Sequence, residues 1–227
     1  MATYALIHGG GDSSFHWHLL EPELRDLGHD VVAPDLPCED ESAGLAEYAD
    51  TVVEAVGDRT ELILVAHSLG GFTAPLLADR LPVELIVLVA GMVPSPGESF
   101  GEWSTNTGWG EASRKAGVDW SDEIAVFYND LPREKAEEAM SHARSQADRP
   151  VEEPWPLESW PSVPTRYILC LQDRCFPPDW MRGVVRDRLG IEPDEIESGH
   201  CAALSRPREL AERLDGYRRD LPDSVRP

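Results

Sequence analysis

The sequence predicts an α/β fold: a mostly parallel, doubly wound sheet of about six strands flanked by helices, with a small helical lid inserted after the fourth strand. Three observations predict it. Near-continuous apolar runs recur along the chain, at residues 3–8 (TYALIH), 31–33, 62–65, 84–90 (ELIVLVA) and 165–171 (TRYILCL), the pattern of strands buried on both faces. Segments with helical apolar spacing separate them, which is the rhythm of βαβ units. That rhythm stops at Pro94 and resumes after Pro164. In between, prolines, glycines and the tryptophans Trp103, Trp109, Trp120, Trp155 and Trp160 replace it. Residues 94–164 therefore read as an inserted lid, and residues 1–93 with 165–227 as the core. A chain of 227 residues has room for one such core, so a single domain is expected.

Each element has a local cause. The first strand is broken by His8-Gly9-Gly10-Gly11. Leu19, Leu20, Leu24 and Leu27 then recur at helical spacing, and Gly28 closes that helix. Pro34 stops the second strand, with Asp35 just beyond it. Residues 45–56 form a second helix with alanine and valine on one face. The third strand ends abruptly at His67-Ser68-Leu69-Gly70-Gly71, and a helical pattern follows through Leu76, Leu77 and Leu81. Gly91 ends the fourth strand. Inside the insertion, residues 121–129 and 133–146 have helical spacing. The core resumes with the fifth strand, a helix after Pro178, a short strand near 195–196, Gly199-His200 and a last helix from 207 through 214.

Composition excludes several partners. A formal net charge of −22 would repel a nucleic-acid backbone or an anionic membrane surface. No apolar run approaches the ~20 residues of a membrane span. The first ten residues (MATYALIHGG) read as a strand rather than a secretion signal, so a cytoplasmic location is expected. Cys38, Cys170, Cys175 and Cys201 are then expected to be free thiols. Cys170 and Cys175 are too widely spaced for a metal knuckle, and neither metal nor cofactor is expected. No feature specifies an oligomeric state.

The chemistry gathers where strands end. In an open parallel sheet, reactive groups collect in the loops at the carboxyl ends of strands. There the first strand offers the glycine loop, the third Ser68, the fifth Asp173, and the sixth is followed by His200. Ala66 and Gly70 flank Ser68 two positions away on either side, small enough for the sharp strand-to-helix turn that lifts a serine clear of the backbone. A serine hydroxyl needs a base to become a nucleophile, the role expected of His200. Asp173 would orient the imidazole, and the backbone N–H groups of Gly10 and Leu69 would hold the oxyanion. Glu98, after the fourth strand, is the rival acid. His8 and His67 read as structural, and Cys201 as a small buried neighbour. His16, Trp120 and Phe127 are candidate substrate contacts.

These motifs together resemble α/β-hydrolase-fold proteins, nearest the plant methylesterase and hydroxynitrile lyase group and its bacterial relatives. HGGGDSSFHWHLL at residues 8–20 resembles that group's HGxxxGxWxW loop, with Ser13 where a glycine is usual. LQDRCFPPDWMR at 171–182 resembles its acid-bearing loop, and SGHCAALSRPREL at 198–210 its histidine loop. The resemblance implies a serine hydrolase acting on a small carboxylic ester through an acyl-enzyme on Ser68. Alternatives are C–C or lactone hydrolysis or cyanohydrin cleavage by the same triad, and, in a different class, a small-molecule binding protein on the same fold. The lyases carry a lysine directly after the histidine; this chain has Cys201, which favours ester hydrolysis.

Overall fold

A computed structural model describes residues 1–221. Its six strands are β1 (Thr3–Ile7), β2 (Asp30–Val32), β3 (Leu62–His67), β4 (Val83–Val89), β5 (Thr165–Cys170) and β6 (Asp194–Ile196). All pair in parallel, in the order β2-β1-β3-β4-β5-β6. The end of the expected core, residues 222–227, lies outside the described residues.

Successive strand side chains point to opposite faces, and the sheet divides its apolar residues accordingly. Leu62, Leu64 and Ala66 of β3 join Ala5, Ile7, Ile86 and Leu88 on one face. Ile63 and Val65 join Tyr4, Leu6, Val87 and Val89 on the other. Helices cover both. The first face carries α2 (Leu45–Val56), α3 (Gly70–Thr73) and, after the insertion, α9 (Pro178–Leu189). The second carries α1 (Leu20–Asp26) and α11 (Pro207–Arg219). Every residue of β3 is buried, and burying a Leu, Ile or Val side chain contributes about 1.5–3 kcal/mol. That is why these strands tolerate no polar alternation.

Between β4 and β5 lie α4 (Phe100–Thr107), α5 (Trp109–Lys115), α6 (Glu123–Phe127), α7 (Arg133–Ser141) and α8 (Arg149–Glu152); α10 (Ala202–Ser205) follows β6. Two departures from the expected pattern have clear causes. The helix after Ser68 is short, because Pro75 has no N–H for the α-helical ladder and the chain continues as a 3-10 turn over Ala74–Leu77. Helix α7 ends at Ser141 rather than at Gln146. Beyond it the Arg144 N–H leaves the helical pattern to bond the Gly11 carbonyl at 2.7 Å. The insertion's tryptophans are mainly framework: Trp103 and Trp155 are fully buried, and their indole N–H groups bond the carbonyls of Val93 and Phe72.

Candidate active site

From β1 the chain steps outward to β2, then crosses back to the other side of β1 as β3. Such a switch point leaves a crevice beyond the carboxyl ends of the two central strands. Here Ile7 of β1 is in register with Ala66 of β3, which sets the glycine loop against the turn bearing Ser68. Glycines permit the approach. A Cβ on Gly9 would lie 3.0 Å from Ser68 Cβ, and one on Gly10 would lie 3.0 Å from Leu69 Cδ2.

Ser68 itself has φ +50, in the left-handed region that L-residues avoid. Its carbonyl accepts from Gly71 N–H at 3.1 Å and Met92 N–H at 2.9 Å. The turn is tight enough that a Cβ on Gly70 would stand 2.8 Å from the carbonyl oxygens of Ile7 and His8, and one on Gly71 only 2.0 Å from that of Met92. Gly71 is thus as constrained as Gly70, a requirement invisible in the small-x-Ser-x-small spacing.

Asp173 and His200 meet below Ser68's crevice. His200 Nδ1 lies 2.8 Å from Asp173 Oδ2, with both side chains 2% exposed. Asp173 Oδ1 accepts from Phe176 N–H at 2.9 Å. The imidazole is boxed by His67, Phe127 and Phe176, at ring-centroid distances of 4.5, 5.7 and 5.1 Å. With Nδ1–H donating to the carboxylate, Nε2 keeps the lone pair; it is buried and has no hydrogen-bond partner among the described residues. His200 and Ser68 line one cavity of about 290 Å³, together with the glycine loop, Phe127, Tyr128, Met140 and Arg144.

Glu98 is elsewhere engaged. Its two carboxylate oxygens accept from Arg188 at 2.6 and 2.8 Å, from Ser95 N–H and from Asn106. Burial alone would raise its pKa; Arg188 and the other donors overcome this and hold it below the usual range. Of the backbone donors, Gly11 N–H bonds Gln146 Oε1 at 3.0 Å. No acceptor within the described chain takes the N–H of Gly10 or Leu69.

His8, His16 and His67 are buried framework residues. His8 Nδ1–H donates to the Gly9 carbonyl at 2.8 Å and Nε2 accepts from Leu36 N–H at 3.0 Å. Burial lowers its pKa to about 4, so it is neutral. His67 lines the cavity and its Nε2 bonds the His200 carbonyl at 3.1 Å; burial pushes its pKa well down. His16 does not reach the cavity. The 3-10 turn over Ser14–Trp17 points it inward, where it stacks on His67 at 4.2 Å and pairs with Asp12 at 3.0 Å. Asp12, His16 and His67 offer donor atoms within 4.8 Å of one another. Rings stacked only 21° from parallel cannot both aim their in-plane lone pairs at one ion, however. Trp120 also misses the cavity: it lies behind Phe127, bonded to Ser113 Oγ and set edge-on to Trp109. Of the three candidate contacts, only Phe127 lines the cavity.

The structure adds residues that no local pattern marked. Arg144 strides across the glycine loop: Nε and Nη2 donate to the Asp12 carbonyl at 2.9 and 2.7 Å, and Nη2 also reaches the Leu36 carbonyl and His8 Nε2 at 3.0 and 3.2 Å. All these acceptors are uncharged. A larger open cleft of about 700 Å³, lined by Glu39, Glu41, Asp148, Glu152 and Glu153 among others, contains neither Ser68 nor His200.

A model of the alpha/beta hydrolase family matches residues 5–213. The chain belongs to the alpha/beta hydrolase family. This hydrolase is 28% identical over 251 residues to methylesterase 7 of Arabidopsis thaliana, covering 93% of this chain and 94% of that one. It is 26% identical over 253 residues to the alpha-hydroxynitrile lyase of the same plant, covering 96% and 97%. Among solved structures, an extracellular alpha/beta-hydrolase from a Paenibacillus species superposes with a TM-score of 0.80 at 20% identity, over 95% of this chain and 98% of that one. That likeness establishes the hydrolase fold. No helix among the described residues is long and apolar enough to cross a membrane.

Proposed function

We propose that the chain is a carboxylic ester hydrolase working through an acyl-enzyme on Ser68. His200 Nε2 takes the Ser68 proton as Oγ attacks the ester carbonyl, and Asp173 stabilises the imidazolium that forms. The N–H groups of Gly10 and Leu69 receive the oxyanion. His200 then returns the proton to the departing alcohol, and activates the water that releases the acid. The observation that carries this reading is the buried Asp173–His200 pair, whose Nε2, unpartnered among the described residues, belongs to a residue sharing one cavity with a serine on a left-handed turn.

Three further features support it. The similarity to a methylesterase spans nearly the whole chain. The cavity, about 290 Å³, is at the small end for ligand sites and suits a small ester. Residues 94–164 act as the lid, closing the cavity with Phe127, Tyr128 and Met140. Cyanohydrin cleavage is disfavoured at Cys201: a buried thiol, unlike a lysine ammonium, has no cationic form and so supplies no cation beside His200. Four buried free thiols fit a reducing, cytoplasmic compartment.

A fluorophosphonate probe tests the core of the proposal. Folded wild-type protein should be labelled on Ser68 and should hydrolyse short aryl or methyl esters, and Ser68→Ala should do neither. Folded wild type that resists the probe, or releases cyanide from mandelonitrile without ester turnover, would overturn it.

A further inference from the structure

We propose that Asn129 and Asp130, consecutive residues of the insertion, are positioning residues that clip the acid-bearing loop to the histidine-bearing loop. The proposal rests on the reading of Asp173 and His200 as acid and base.

Just beyond α6 the chain crosses both loops. Asn129 Nδ2 donates to the Gln172 carbonyl at 3.0 Å, and Gln172 immediately precedes Asp173. Asp130 Oδ2 accepts from Gly199 N–H at 2.8 Å, and Gly199 immediately precedes His200. The two loops are also joined directly, Gln172 N–H to the Ser198 carbonyl at 2.9 Å. The result is a closed ring: Asn129 to Gln172, Gln172 to the Ser198–Gly199 peptide, that peptide to Asp130, and Asp130 to Asn129 through the chain. The peptide leading into the acid, 172–173, and the peptide one residue ahead of the base, 198–199, are therefore both held from the insertion.

Gly199 records how close this approach is. A Cβ there would lie 2.5 Å from Asp130 Oδ1 and 2.6 Å from Asn129 Oδ1. Asn129 and Asp130 thus pack directly against the residue that precedes His200, and fixing the backbones on which Asp173 and His200 sit matters for turnover, because a misplacement of about 1 Å can cost on the order of 10² in rate.

The test compares Asp130→Ala, Asp130→Asn and Asn129→Ala with wild type, in p-nitrophenyl acetate hydrolysis and fluorophosphonate labelling, with thermal melts to establish folding. Asp130→Ala should lower kcat by roughly 10- to 100-fold, with KM within about 3-fold. Asp130→Asn keeps an oxygen that can accept the Gly199 N–H and should restore kcat to within about 3-fold of wild type. Asn129→Ala should also lower kcat while leaving KM in place, and it decides the matter if Asp130→Ala does not fold. Folded alanine variants with wild-type kcat would overturn the clip. So would an Asp130→Asn as slow as Asp130→Ala, since charge rather than the hydrogen bond would then matter. Wild type that resists the probe refutes the triad reading and the clip with it, whereas labelled wild type with unaltered variants refutes only the clip.

Discussion

Replacing Ser68 with glycine removes the proposed nucleophile and, at the same time, the side chain that strains its turn. Ser68 has φ +50, where an L-residue is about 1–2 kcal/mol less favourable than glycine. Glycine also gives the unfolded chain more freedom, which offsets about 0.5–1 kcal/mol of that gain. Ser68→Ala loses the same hydroxyl and keeps the strain, so it is the proper reference. Ser68→Gly should therefore be more stable than Ser68→Ala by about 0.5–1 kcal/mol, which for a chain of this size is roughly 1–4 °C in Tm. Both variants should be inactive. Urea denaturation and thermal melts measure the difference directly. Glu61 provides a control, because it has the same φ of +50 in a half-buried bend just before β3, and its distant contacts to Met1 and Arg218 are lost in either variant. Glu61→Gly should exceed Glu61→Ala in stability with activity unchanged. A Ser68→Ala protein as stable as Ser68→Gly would refute the idea that the turn stores strain.

Asp173→Asn should lower kcat by on the order of 10³–10⁴ with the fold intact, since the imidazole would lose its anionic partner. Glu98→Gln should instead lower the melting temperature, by leaving Arg188 half-buried without its carboxylate, while ester turnover below the melt is retained. Arg144→Ala should reduce kcat by about 10², as the glycine loop loses its tether and the Gly10 donor drifts; Arg144→Lys should rescue little, lacking the forked guanidinium. For pH, burial holds His8 near a pKa of about 4, below its unfolded value of about 6.5. Between those values the unfolded chain binds more protons, so the stabilisation is fully present above about pH 6.5 and is lost as pH falls through 4. The loss is on the order of 3 kcal/mol. Urea titrations should show a shallower pH slope in His8→Gln, with a residual slope from His67 and His29, whose pKa values are also lowered by burial.

What sequence could reveal tracks how far apart the interacting residues lie. The strand into Ser68 and the glycine loop were legible because their causes are local, an apolar run in one and a break in chain stiffness in the other. Pro75 was equally local, yet the leucine spacing beyond it outweighed its effect in the reading of that helix. His16 was misplaced for a subtler reason: the 3-10 turn rotates successive side chains differently from an α-helix, and it turns His16 inward onto His67 while Phe15 stacks against His142 at 3.7 Å. Arg144 and the Asn129–Asp130 pair could not be found by any pattern, since their partners are 43 to 136 positions away.

The competition between Asp173 and Glu98 shows what kind of information was missing. Both follow strands of the same sheet, and both are acidic, buried and surrounded by hydrogen-bond donors. Sequence position ranks them only weakly. What separates them is which partner each carboxylate finds, and those partners come from remote elements: Arg188 on α9, 90 residues beyond Glu98, and His200 after β6, 27 residues beyond Asp173. A carboxylate held by a guanidinium has its oxygens committed to a permanent cation. Asp173 has one oxygen on a backbone N–H and the other on an imidazole, a partner whose charge can appear and vanish within a turnover. Only the second arrangement lets a buried carboxylate respond to a proton moving through the site.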